Sequence, residues 1–216
     1  MKTTVELLDR MAATFGADPS PEQDATGNAI LDATLDQISA NGPASLTLEA
    51  VAQRAGCNRI TVYRRFSSRE GLLVALASRE AQRMRDELQR SIEGLADPTE
   101  LICEGFEVAA RLAVSHPLVD RALRHEPEAL VGALTMHGSR VLRIGGAAVA
   151  AALRVAQASG IARHVDPDAA GLVAARLLAS FLLLPGPDID IHDPADVRRY
   201  AHEVLAPLLL GPPVQP

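Results

Sequence analysis

Tryptophan is absent from this chain and the other aromatics are rare, 3% of the sequence, although 48% of the residues are hydrophobic. A core built from such a chain is mostly Leu, Ala and Val. Alternating Val/Ile/Thr runs are missing too, and apolar residues recur at helical spacing, which predicts an all-α protein. Cys57 and Cys103 lie far apart, so there is neither a disulfide framework nor metal-ligand spacing. No basic-plus-apolar leader opens the sequence, and the longest apolar run, Leu177 to Leu184, is too short to span a bilayer. A cytoplasmic protein with no membrane partner is expected. H-E-x-x-H, C-x-x-C, G-x-S-x-G and a phosphate-binding glycine loop are all missing, so no catalytic role, cofactor or metal is expected. Lysine is nearly absent: Lys2 stands against twenty arginines, spread along the whole chain.

What is present is a local reversal of charge. From Gln53 to Arg69 there are five arginines (Arg54, Arg59, Arg64, Arg65, Arg69) and no acid, in a chain of formal net charge -6. A positive patch on an acidic protein points to a phosphate backbone. Leu48, Val51, Ala52 and Ala55 form one helical stripe, with Thr47 as cap, Leu46 and Val51 as staple, and Glu49 at the positive helix end. Gly56 ends that helix and Asn58 caps the next, where Val62 and Phe66 face inward. Ile60, Thr61, Tyr63 and Arg64 then point outward. Ser67 and Glu70 read as a capping box for a third, longer helix. Helix, glycine turn and helix with an exposed Arg/Thr/Tyr face is the helix-turn-helix pattern.

At these residues the chain resembles the TetR family of bacterial transcriptional repressors. The likeness runs from AILDATLDQISANG (Ala29 to Gly42) through Thr47, A-G-C-N, T-V-Y-R-R-F and S-R-E-G-L-L to Leu73. Cys57, Asn58, Ile60 and Arg69 depart mildly from its usual residues. The resemblance implies an N-terminal three-helix DNA-binding domain followed by an α-helical effector-binding and dimerisation domain. The implied DNA-contacting set is Thr47, Asn58, Arg59, Ile60, Thr61, Tyr63, Arg64, Arg65 and Arg69. Within it, Arg59 and Thr61 reach bases and Ile60 meets a thymine methyl. Thr47, Tyr63, Arg64, Arg65 and Arg69 hold phosphates.

The expected domains are a flexible tail over 1–24, the helix-turn-helix domain over 25–70 and the effector and dimerisation domain over 71–216. A long helix from about Ser68 to Leu95 is shared between the last two, and prolines at 98, 117, 167 and 194 mark later helix starts. Gly145-Gly146 implies close helix packing or a kink beside a cavity. Phe106, His116, His125, Met136, His137 and Arg140 fall on segments that surround the ligand in the family, and few aromatics point to an aliphatic effector. The last two long helices are the expected homodimer interface. The function that follows is a ligand-responsive regulator, a repressor on a palindromic operator. Its rivals are an architectural DNA binder without effector and an all-α enzyme or carrier with a vestigial helix-turn-helix.

Overall fold

The computed structural model describes residues 3–14, 24–128, 130–131, 139–158, 160, 165–184, 186–187 and 189–210. Among them the protein is all-α, with a single isolated bridge between Gly186 and Ile189 in place of any strand. The helices are α1 (Thr4–Thr14), α2 (Ala25–Asn41), α3 (Leu48–Arg54), α4 (Arg59–Phe66), α5 (Arg69–Ile92) and α6 (Pro98–Ser115). They continue as α7 (Pro117–His125), α8 (Ser139–Ala158), α9 (Pro167–Leu183), α10 (Pro194–Tyr200) and α11 (Ala206–Leu210), with a π-helical stretch Ala201–Leu205 joining the last two. No described helix is long and apolar enough to cross a membrane. The chain divides into two compact units, Met1–Arg83 with His116–Gly138, and Met84–Ser115 with Ser139–Pro216.

In the first unit, Asp24 Oδ1 accepts the Gly27 N–H at 2.8 Å and starts α2, whose Ile30, Leu31 and Ile38 are fully buried. Gly42, at φ +80°, ends α2 and donates to Ile38 O at 2.7 Å. Arg121 of α7 donates to Ser39 O and Ala40 O at 3.2 and 3.3 Å, supplying donors to the carbonyl end of α2. The N-terminal residues correct the expectation of a flexible tail. Residues 4–14 form α1, which buries Val5, Leu7, Leu8 and Met11, and its Thr4 N and Oγ1 donate to the Glu126 carboxylate at 2.8 and 2.6 Å. An eleven-residue helix is marginal in isolation; here it persists because α7, over a hundred positions later, receives its apolar stripe. Residues 15–23, the remainder of the expected tail up to Asp24, lie outside the described residues.

The second unit packs α6, α8, α9 and the C-terminal helices around Leu101, Ile102, Phe106, Val149, Leu153, Leu178, Val197 and Leu205. Within it α8 and α9 cross in close contact. A Cβ on Gly146 would overlap Gly171 O, and one on Gly171 would overlap Gly146 O, so both positions require glycine. Close packing is thus the reason for Gly146. Arg198 of α10 ties that helix to α6, with hydrogen bonds to Glu104 and Glu107 at 3.0 Å each and a further one to Glu100.

Candidate nucleic-acid interface

The helix-turn-helix forms as the local sequence predicts. Thr47 Oγ1 accepts the Ala50 N–H at 3.2 Å, and Asn58 Oδ1 accepts the Ile60 N–H at 2.6 Å. Gly56 at φ +66° closes α3, with its N–H on Gln53 O and the Cys57 N–H on Ala52 O. Val51 and Val62 are fully buried and Phe66 nearly so, which anchors α4 by one face. The opposite face carries two large exposed hydrophobic side chains, Ile60 at 71% and Tyr63 at 62% exposure. Arg59 and Arg64 are exposed beside them and Thr61 is half-buried.

The junction into α5 differs from the expected capping box by one residue. Ser67 takes φ +61° and closes α4, its N–H on Tyr63 O at 2.7 Å. The cap is Ser68, whose Oγ accepts the Gly71 N–H at 3.0 Å. The backbone folds so tightly there that a Cβ on Gly71 would overlap Phe66 O. The S-x-x-E pattern was a poor guide because the left-handed residue it needed to exclude is a serine rather than a glycine.

In space the arginine run is not free of acids. Arg54 pairs with Asp36 at 3.4 Å, Arg59 Nη1 with Glu49 at 2.7 Å, and Arg65 with Asp24 at 2.6 Å. The Gly27 N–H and the Arg65 guanidinium hold the Asp24 carboxyl below its ordinary range. Exposed pairs of this kind are weak, so a phosphate can replace the acid at Arg54 and Arg65. Arg64 has no ion-pair or hydrogen-bond partner among the described residues. Arg69 differs from the rest of the expected phosphate set in being engaged by backbone. Its Nε donates to Leu46 O at 3.1 Å and its Nη2 to Pro43 O, so it ties the start of α5 to the turn before α3. Pro43 O also accepts the Leu46 N–H at 3.3 Å, and the arginine fork spans both carbonyls, which leaves Arg69 half-buried. Glu49 and Asp24 as arginine partners were not foreseen, although Glu49 is the only acid between Pro43 and Ser68.

Of the expected effector residues, the structure describes Phe106, His116 and His125 with their surroundings. Phe106 is 1% exposed within the aliphatic core of the second unit. His116 and His125 belong to the first unit. His125 is exposed at the end of α7. His116 is buried, caps α7 by accepting the Leu118 N–H at Nδ1 (3.2 Å), and lies with Nε2 3.7 Å from Glu80. Glu80 in turn holds Arg79 at 2.7 Å and Arg83 at 3.4 Å, and Arg79 reaches Asp32 at 2.8 Å. This makes His116 part of a polar junction of α2, α5 and α7, not of an apolar cavity. Met136 and His137 lie outside the described residues, as does the side chain of Arg140. Asp190 accepts the His192 N–H in a turn, Asp193 caps α10 by accepting the Ala195 N–H, and no described cluster of His, Cys, Asp and Glu has metal-ligand geometry.

A buried-face anchor, an exposed basic and aromatic face, and two capped short helices across a glycine turn define a helix-turn-helix DNA-binding regulator. Residues 30–76 match the bacterial regulatory proteins of the tetR family. The chain is 30% identical over 180 residues to the uncharacterized HTH-type transcriptional regulator MT1294 of Mycobacterium tuberculosis, covering 83% of each chain. This protein therefore belongs to the TetR family of transcriptional regulators. Its fold is also that of the fatty acid degradation regulator FadR from Bacillus halodurans (TM-score 0.63, 18% identity, 86% of this chain and 97% of that one). The TetR family repressor AlkX from a Dietzia strain, implicated in biodegradation of n-alkanes, is similar too (TM-score 0.54, 23% identity, 91% and 100% covered).

Proposed function

We propose that the protein is a ligand-responsive repressor that binds a palindromic operator as a homodimer and is released by a small hydrophobic effector. The observation that carries this is the polarity of α4: Val62 and Phe66 are buried while Ile60, Tyr63, Arg59 and Arg64 are exposed. In this reading α4 enters the major groove. Arg59 reads a base edge, Thr61 a neighbouring one, and Ile60 packs on a thymine methyl. Thr47, Asn58, Tyr63, Arg64 and Arg65 hold the backbone and set register. Two copies present two such helices to half-sites ~34–36 Å apart. The last helices support the dimer: Val173 on α9, Leu184 just beyond it, and Val204 and Leu208 in the C-terminal segment are all exposed apolar residues.

The effector is assigned to the second unit, whose interior around Phe106 is aliphatic. It releases DNA only to the extent that it prefers the conformation with mis-spaced recognition helices. Equal effector affinity for free and operator-bound protein would exclude that mechanism.

An unbiased selection on random duplexes tests the whole reading. A two-fold symmetric logo is expected, and an asymmetric or absent logo removes the homodimer and operator assignments together. In the same selection, Arg59→Ala relaxes one base position at a cost of about 1–3 kcal/mol. Arg64→Ala weakens all sequences alike and lowers the salt slope by about one.

A further inference from the structure

We infer that Glu49 is a specificity-determining positioning residue, which holds the Arg59 guanidinium ready for a base edge and away from the phosphates. The inference rests on the reading of Arg59 as a base contact. Glu49 is the only acid between Pro43 and Ser68, in the most basic stretch of the chain. It is 60% exposed, against an Arg59 side chain 65% exposed, on the unit proposed to meet DNA. An exposed carboxylate there opposes phosphate binding, so its presence needs a purpose other than affinity.

The geometry supplies one. Glu49 lies in the first turn of α3 and Arg59 opens α4, so a side-chain contact spans the Gly56 turn with Nη1 to Oε1 at 2.7 Å. Arg59 sits at the α3-side flank of the exposed face and must lean to reach a base. A free arginine there has four rotatable bonds and, on a bound duplex, backbone phosphates as competing partners. Glu49 engages one nitrogen of the fork and leaves the remaining donors for guanine O6 and N7. Part of the ordering of the side chain thus precedes DNA binding, and the competing phosphate contact is disfavoured by the carboxylate. As a surface ion pair it adds little to fold stability, so its loss is readable in recognition rather than in folding.

The two roles of the carboxylate have opposite signs, which makes the test decisive. Wild type, Glu49→Gln, Glu49→Asp, Arg59→Ala and the Glu49→Gln/Arg59→Ala double variant are compared for binding to three duplexes. These are the duplex enriched by selection on wild type, that duplex substituted at the position Arg59→Ala relaxes, and a random-sequence duplex of equal length. Thermal melts check folding. Glu49→Gln is expected to bind the random duplex about two- to threefold more tightly at low salt. It is also expected to lose about two- to tenfold discrimination at the Arg59 position, with no further loss in the double variant. Glu49→Asp retains part of the discrimination.

Unchanged discrimination in Glu49→Gln, with Arg59→Ala still relaxing its position, overturns the positioning role alone. A relaxed base in Glu49→Gln that is independent of Arg59 makes Glu49 a reader in its own right and also overturns it. Weaker binding to every duplex together with a lower melting temperature assigns Glu49 to supporting α3, a third overturning result. If Arg59→Ala leaves the logo unchanged, the base-contact reading itself fails, visibly and separately.

Discussion

Glu80 shows how single residues hold the first unit. Burial works against its ionisation, but His116, then the Arg79 and Arg83 charges, outweigh that and hold its carboxyl below its ordinary range. A carboxyl with a depressed folded-state pKa stabilises the fold above its unfolded pKa and loses that contribution as pH falls through the folded one. Stability is therefore expected to decline below about pH 4, and Glu80→Gln is expected to flatten that decline while costing about 1–3 kcal/mol at neutral pH. Urea titrations of both proteins from pH 3 to 7 (a range of about four units around the glutamate value) check it. At this scale the capping and anchoring of α4 were legible in the sequence, because Asn58, Val62 and Phe66 act through neighbours within one or two turns. His116 was not. Nothing within its own segment shows that Glu80, on a helix entered far earlier in the chain, faces it.

Among the elements, the α8–α9 crossing depends on mutual exclusion of side chains at Gly146 and Gly171. Gly146→Ala gains helix propensity yet forces backbone apart, so a net loss of about 1–3 kcal/mol is expected in thermal or urea unfolding. An unchanged or raised melting temperature would show that the crossing has room. The N-terminal helix is open to a sharper test. Removing residues 1–14 deletes the buried Leu7 and Met11 and frees the Glu126 carboxylate, so the first unit is expected to lose several kcal/mol (about 2–5 for one large buried side chain alone). A flexible tail would be removed without effect. Val5, Leu7, Leu8 and Met11 are spaced for one face of a helix, but only the fold supplies the surface that receives that face. Ser67 and Ser68 make the same point over a single residue, since two adjacent serines have equal capping propensity and only the backbone path chooses between them.

For the molecule as a whole, the proposed recognition of a palindrome requires that two copies set the distance between their α4 helices. The apolar residues left exposed on the last helices are where that second copy is proposed to bind, and a stable interface buries about 1,200–2,000 Å². Val173→Glu combined with Leu208→Glu is expected to convert the dimer to monomer by light scattering, while each monomer keeps its helical signal. Binding to the full operator then falls to the weak level of a single half-site. A dimer that survives both charges would move the interface elsewhere.

The sequence by itself determined the all-α class, the family and the helix-turn-helix, because caps, a glycine turn and an i, i+4 anchor are interactions between near neighbours. Tertiary structure decided what long-range contact decides. It showed that α1 is a packed helix, that Gly146 serves a crossing, that Arg69 is committed to carbonyls and His116 to a polar junction, and that Arg59 has Glu49 as its partner. In each case the deciding partner is supplied by another element, and only the folded chain brings the two within reach.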